Sequence, residues 1–239
     1  MRTHTIDPTS TGIFGSSGSP VIRGNTLDQN KTGLAFDSSS AVIEDNVFTN
    51  NTVRAGKYSG FLRGSLARNS GSGNAINSIA LAGTITTVGA TTTLGAGSLP
   101  YVTGVDHVTV LASSTLVIEP GTTLQFSSGN RLKVNGVLIA EGTPALPISF
   151  SSQTGSLTNG GSVFGIFSNP GARVSIANAN FSFFNIALSY TSSPILLSDV
   201  NISTGEIGVS GSGTDPASNA ISNVSFSNVS IPKDPSGLF

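Results

Sequence analysis

The chain has 239 residues, a net charge of −1 and no cysteine, and only 10% of its residues are charged, against about 25% in ordinary domains. The near-neutral balance and the lack of a long basic stripe exclude the electrostatic footprint of a nucleic-acid-binding protein. The missing thiols exclude disulfides, thiolate metal sites and a cysteine nucleophile, and no run reaches the ~18 apolar residues of a membrane-spanning helix.

From the start, Met1 to Gly12 lacks the charged-then-apolar layout of a signal peptide. The apolar pattern begins at once, at Thr11-Gly12-Ile13-Phe14, so the sequence reads as a piece of a longer polypeptide. Residues 1 to about 82 alternate short apolar strands with Asn/Gly/Ser turns. Val21, Ile22, Asn25 and Leu27 recur 21 residues later as Val42, Ile43, Asn46 and Phe48. A looser copy runs from Phe61 to Asn69. Residues 83 to 103 are rich in Thr, Gly and Ala, and this change of composition is a candidate boundary. The most apolar strands follow, at Thr115–Ile118, 132–134 and 137–140. Finally Val174, Ile176, Asn180, Phe181, Ile186 and Leu188 recur 21 residues later as Ile195, Leu197, Asn201, Ile202, Ile207 and Val209. A slipped copy then sets Val224 and Phe226 against Val200 and Ile202. Nowhere is there the i, i+3, i+4, i+7 spacing of a helix.

A period of this length is one coil of a solenoid. The expected fold is all-β, a right-handed parallel β-helix with coils of about 21 to 24 residues, some ten or eleven of them. The expected layout is a first stack over 1–98 ending in the Thr/Gly-rich seam, a second over 99–230, and a tail or cap over 231–239. Asn25 over Asn46, and Asn180 over Asn201, suit bends where Asn adopts left-handed backbone angles and amides stack into hydrogen-bonded ladders.

The first and last zones resemble the right-handed parallel β-helix repeats of the pectin-lyase-like superfamily, in the branch with periplasmic copper-site-assembly and surface-protein β-helices. The residues that carry this are Pro20-Val21-Ile22-x-x-Asn25, Val42-Ile43-x-x-Asn46-x-Phe48 and Pro194-Ile195-x-Leu197. The stretch from Ser114 to Thr143, with Pro147-Ile148-Ser149-Phe150, is similar to the opening coils of β-helices in large bacterial secreted and surface-anchored proteins. The resemblance implies a fold and says little about activity, because such solenoids host lyases, hydrolases, adhesins and inert rods.

A lyase-like site would need a carboxylate cluster for Ca²⁺ and a nearby cationic base. A glycosidase would need two carboxyl groups facing each other across a sugar. The acids are scattered instead, at Asp28, Glu44, Asp45, Asp106, Glu119, Glu141, Asp199 and Glu206, and the period stacks Glu44 on Arg23. Glu44 and Asp45, being adjacent, point to opposite faces of a strand. His4 and His107 fall outside the repeat cores and read as surface residues. Arg54, Lys57, Arg63 and Arg68 form the densest basic stretch and read as a solvated turn region. Six Asn-x-Ser/Thr triplets occur, at Asn30, Asn50, Asn180, Asn201, Asn223 and Asn228, and a fold built of Asn turns and Ser/Thr strands generates such triplets by chance. The local Thr run at 84–93 lacks the coil period of a Thr rank, and of Phe181, Phe183 and Phe184 one must point outward.

No catalytic, cofactor-binding or metal-binding residue is therefore assigned. The expectation is a non-enzymatic extracellular or cell-surface β-helix with a structural or adhesive role. It is either part of a larger surface polypeptide or a subunit that self-associates head to tail through open β-helix ends. The alternative is a β-helix that binds or degrades polysaccharide.

Overall fold

The computed structural model describes residues 3–5, 10–37, 40–60, 64–86, 88–157, 162–213 and 220–233; of residues 3–5, 105 and 233 it describes the backbone. Among them are twenty-two strands and no helix. They stack in parallel into a β-solenoid of about nine turns. The repeats pair in the register that the sequence period implies. Ile22 stacks on Ile43 and Leu27 on Phe48. Val174 lies on Ile195 and Phe181 on Ile202, while Val200 meets Val224 and Ile202 meets Phe226. The turns number fewer than ten because some coils are long. Ile22 to Ile43 is a step of 21 residues, but Leu66 to Leu94 is 28 and Ala140 to Ile176 is 36.

Two strand faces run the length of the rod. The first contains Val21–Arg23, Val42–Glu44, Ser65–Ala67, Thr91–Leu94, Thr115–Ile118 and Val137–Glu141, then 173–177, 195–198 and 220–222. The long face begins at Thr11–Ser16 and continues through Thr32–Asp37, Arg54–Ser59, Ile79–Thr84, 101–103, Thr123–Phe126 and Ile148–Ser152. It ends with 179–182, 200–203 and 224–227. Both faces cross residues 83–98 without a gap in pairing.

The third side of the triangle changes partway. Near the N-terminus it is a four-stranded sheet of Thr3–Thr5, Thr26–Asp28, Val47–Thr49 and Ser70–Ser72. This sheet stops where Ser98 and Leu99 fold over it. Gly71 N–H donates to Ser98 Oγ at 3.2 Å, and a Cβ on Gly71 would lie 3.0 Å from Leu99. A replacement side starts at 83–84 and continues through 108–110, Leu132–Val134, Phe164–Ser168, 186–191 and 207–212.

The corners explain the asparagines. Asn25, Asn46 and Asn69 form one ladder, and Asn30, Asn51 and Asn74 a second. In each ladder the lower Asn donates from its backbone N–H and its Nδ2 to the next Oδ1, at 2.6–3.2 Å. Asn30, Asn46 and Asn51 are fully buried. The left-handed angles fall one residue earlier than expected, at Gly24, Asp45 and Arg68 before the first ladder and at Gln29, Asn50 and Gly73 before the second. The ladder residue is thereby turned inward. The amides also dictate a glycine: a Cβ on Gly33 would lie 3.1 Å from Asn51 Nδ2 and 2.6 Å from Ala55 O.

The C-terminal corners use the same backbone with different fillers. Left-handed residues stack at Asn178, Asp199 and Asn223, and again at Phe183, Thr204 and Asn228. Asn180 and Asn201, expected in a ladder, are exposed strand residues, and Asn201 Oδ1 accepts from Ser225. Phe183 takes φ +64 and is the aromatic turned out of the core, so that Phe181 and Phe184 are both buried at 1% exposure. Phe150 stacks on Phe181 with centroids 4.6 Å apart, and Phe126 meets Phe184 edge-on at 5.3 Å. Such pairs add about 0.5–1.5 kcal/mol each beyond area burial. Thr86 and Thr92 are fully buried, which removes the Thr run as a surface rank.

Replacing Asn51 by Ala strips the acceptor from both Asn30 donors, and unpaired buried donors cost about 1–3 kcal/mol each. A loss of about 3 kcal/mol is expected for Asn51→Ala in denaturant unfolding. Asn201→Ala, on the outside, should stay within about 0.5 kcal/mol. Equal effects of the two changes would refute buried ladder bonding as the N-terminal corner device.

A candidate ligand groove where the third side changes

The change of side leaves a mark on the surface. Ile79–Leu81 pairs with 101–103, but the next paired residues are Gly83 with Val108, so residues 104–107 bulge out of the ladder. The bulge walls a groove of about 910 Å³ lined by Arg54, Lys57, Ala80, Val102, Asp106 and Gln153 among others. Ala80, Ala82 and Val102 lie at 4–8% exposure and form its floor; their small side chains are why the surface sinks there. It crosses five rungs of the long face, from Arg54–Ser59 to Ile148–Ser152, which is about 19 Å at the usual strand spacing.

The groove is held by polar contacts behind the bulge. Ser127 N–H donates to Thr103 Oγ1 at 2.9 Å, and Asn130 Nδ2 donates to Gly104 O. Arg131 packs its guanidinium 4.6 Å from the ring centroids of both Phe164 and Phe167, a half-buried cation–π arrangement. His107 sits on the bulge. Burial pushes its pKa below the ordinary value, and the Lys133 and Arg131 charges push it the same way, against the Asn130 hydrogen bond and the Asp106 charge.

Chemically the groove offers two cations at one end, Arg54 and Lys57, one carboxylate, Asp106, and hydroxyls and amides between them. The basic stretch of the sequence is thus divided: Arg54 and Lys57 line the groove, Arg68 joins an ion-pair network, and Arg63 lies outside the described residues. The side chain of His4 does so too. The groove was missed in the sequence because its cause is a mismatch in pairing. The one available signal was the break in repeat spacing around residues 83–108.

The other acids go elsewhere. Asp28 accepts from Thr49 and Asn50, Glu141 from Ser175, and Glu206 from Asn185. Among the described residues no three His, Asp or Glu side chains converge as metal ligands. Glu44 pairs with Arg23 at 3.0 Å as the period implied, and also with Arg68 at 2.7 Å, while Arg68 holds Asp45 at 2.8 Å. Its side chain is only 11% exposed, so Glu44 is less solvated than the sequence suggested. The hydrogen bond from Ser65 is the largest influence keeping its carboxyl below the ordinary value, and Arg68 and Arg23 act with it against burial. Tyr101 is buried with its hydroxyl 2.6 Å from Leu66 O and 2.9 Å from Gly95 O, and burial pushes its pKa up.

No sequence family matches the chain, and no solved structure matches it. A 49-residue stretch, 20% of this chain, is 47% identical to Protein bark beetle of Drosophila melanogaster. That stretch spans about 2% of the length of the fly protein.

Because the Glu44 carboxyl titrates lower in the folded protein than its ordinary 4.5, its contribution is complete above that pH and disappears as the pH falls through the lowered value. Glu44→Gln should cost about 1.5 kcal/mol at pH 7, the low end for bonds to a charged group, because both arginines are more than half exposed and screened. It should also flatten the fall in stability between pH 5 and 3, leaving the Asp45 part. A variant whose acid slope matches the parent would refute this.

Proposed function

We propose that the chain is a non-enzymatic, extracellular β-solenoid module of the pectin-lyase-like kind, a structural and adhesive element of a surface protein. We further propose that it associates end to end with another solenoid end, in the simplest case a second copy of itself. The observation that supports this is a corner spacing that recurs in the two end regions, although the bracketed strand belongs to the four-stranded side at one end and to the long face at the other. Left-handed corner residues occur five apart at Gly24 and Gln29, and again five apart at Asn223 and Asn228. Each pair brackets one short strand, Thr26–Asp28 or 224–227, and precedes a longer one.

The last described rung is the place for such a contact. Ile221, Val224, Phe226 and Val229 are only partly buried there, whereas Leu197, Val200 and Ile202 one rung below are at 1–2% exposure. Another rung laid on that surface removes its apolar area from water and pairs its backbone groups. Head-to-tail contacts of this type give open filaments where the rotation does not close.

Sedimentation velocity and electron microscopy over rising concentration should show linear oligomers, reduced by Phe226→Asp. Monodisperse parent protein at high concentration overturns the copy-to-copy contact. Hydrolytic or eliminative activity on a polysaccharide, lost on Asp106→Asn, overturns the non-enzymatic reading.

The groove supports a second reading, polysaccharide binding, since it crosses several rungs and carries Arg54, Lys57, Asp106 and Gln153 beside an apolar floor. Calorimetry with neutral and acidic polysaccharides should then detect binding that weakens about tenfold, or 1.4 kcal/mol, in Arg54→Ala and Lys57→Ala. Unchanged affinity in both variants removes the groove as the site.

A further inference from the structure

We propose that the outward side of the last three rungs is an N-glycan attachment surface, with Asn180, Asn201, Asn223 and Asn228 as acceptors. This rests on the extracellular reading above. Each of these residues opens an Asn-x-Ser triplet, and the structure separates them from the other triplets. The strand period of two turns Asn and Ser outward and the middle residue inward. Phe181 and Ile202, the middle residues of two triplets, are buried at 1% and 2% exposure, while Asn180 and Asn201 are exposed. These two asparagines are directly stacked. Asn223 and Asn228 are exposed at the two corners that bracket strand 224–227 one rung further on. All four acceptors therefore share one side of the rod.

The remaining triplets contrast with them. Asn30 is fully buried, its Nδ2 donating to Asp28 O and Asn51 Oδ1 at 3.1 Å; a sugar on that nitrogen is incompatible with the ladder. Asn50 is exposed, but stands alone near the other end of the rod. The bonds on the proposed surface tolerate modification. Asn201 is engaged through Oδ1, which takes no part in transfer. Asn223 donates one Nδ2 hydrogen to Asp199 at 3.0 Å, and a glycosylated amide keeps one.

The co-reactant is a lipid-diphosphate-linked oligosaccharide, used by a membrane transferase while the chain is still extended. Asn Nδ2 attacks C1 of the reducing-end sugar and forms the C1–N bond. The C1–O bond to the diphosphate breaks, the lipid diphosphate leaves with the electron pair, and the Nδ2 proton passes to a base of the transferase. No electrons are exchanged with a redox partner. Bulky polar glycans here shield the side of the rod beside its exposed end rung, so that contacts are directed along the axis.

The test is site-resolved mass spectrometry of the protein recovered from fractions of its source cells, with and without peptide-N-glycosidase in ¹⁸O water. The expected result is surface-borne protein with labelled Asp at one or more of the four positions and unlabelled Asn30. Surface-borne protein unmodified at all four overturns the proposal and leaves the extracellular reading standing. Protein confined to the cell interior and unmodified overturns both, and the fractionation makes the two failures distinguishable. Glycan at Asn30 of folded protein also overturns the assignment. The quadruple Asn→Gln variant should melt as the parent does, yet lose the whole glycan mass; retention of that mass assigns it elsewhere and overturns the proposal.

Discussion

Every other feature of this molecule depends on one constraint: each rung must offer the next the same outline, one strand spacing higher. Backbone pairing and core packing are both made only between neighbours, so a mismatch cannot be repaired by a distant contact. The corners fix the outline. Non-glycine residues in the left-handed region are strained by about 1–3 kcal/mol each, yet they stack here at Asp45 and Arg68, at Gln29 and Asn50, and through Asn178, Asp199 and Asn223. Two devices hold the chain in these corners. At the N-terminal end an Asn follows Gly24, Gln29, Asp45, Asn50, Arg68 and Gly73 and bonds to its counterpart on a neighbouring rung. At the C-terminal end the following residue is small or apolar, as with Ala179, Val200, Phe184 and Gly205, and enters the core. One is a polar solution and the other a packed one, and the backbone is the same.

The groove follows from changing the outline midway. The first and long faces keep their pairing while the third side is exchanged, and the second rung of the new side inserts residues that the first, at 83–84, lacks. Residues 104–107 are that insertion. Tyr101, on the long face, is buried with its hydroxyl on carbonyls of two different rungs of the first-face side. A surface feature able to hold a ligand therefore comes from the topological change itself, with no dedicated insertion domain.

Sequence alone revealed the stacking because hydrophobic identity repeats with backbone position: Ile22 over Ile43 and Phe181 over Ile202 are visible as spacing. It misplaced the asparagines for a physical reason. An Asn in a left-handed turn and an Asn following one have the same one-dimensional period, and only backbone angles separate Asp45 from Asn46. It also treated Asn180 and Asn201 like Asn25 and Asn46, although strand alternation turns the first pair outward. The groove was illegible because Arg54, Lys57 and Asp106 come from rungs whose spacing departs from the repeat, and proximity across rungs can be counted only once the register is known.

The geometry of parallel coils also bears on where association can occur. Strand N–H and C=O groups point along the rod, so its sides present side chains and its ends present backbone. Among the described residues the exposed large apolar side chains are Phe14, Val21, Val47, Ile76, Val88, Leu146, Leu196 and Ile231, and exposed apolar residues met singly along a chain are ordinary. Only 10% of residues are charged, so long-range electrostatic repulsion from the sides is weak. The last described rung differs, with Ile221, Val224, Phe226 and Val229 only partly buried. Along the axis each rung repeats the pairing and packing that hold its neighbours together.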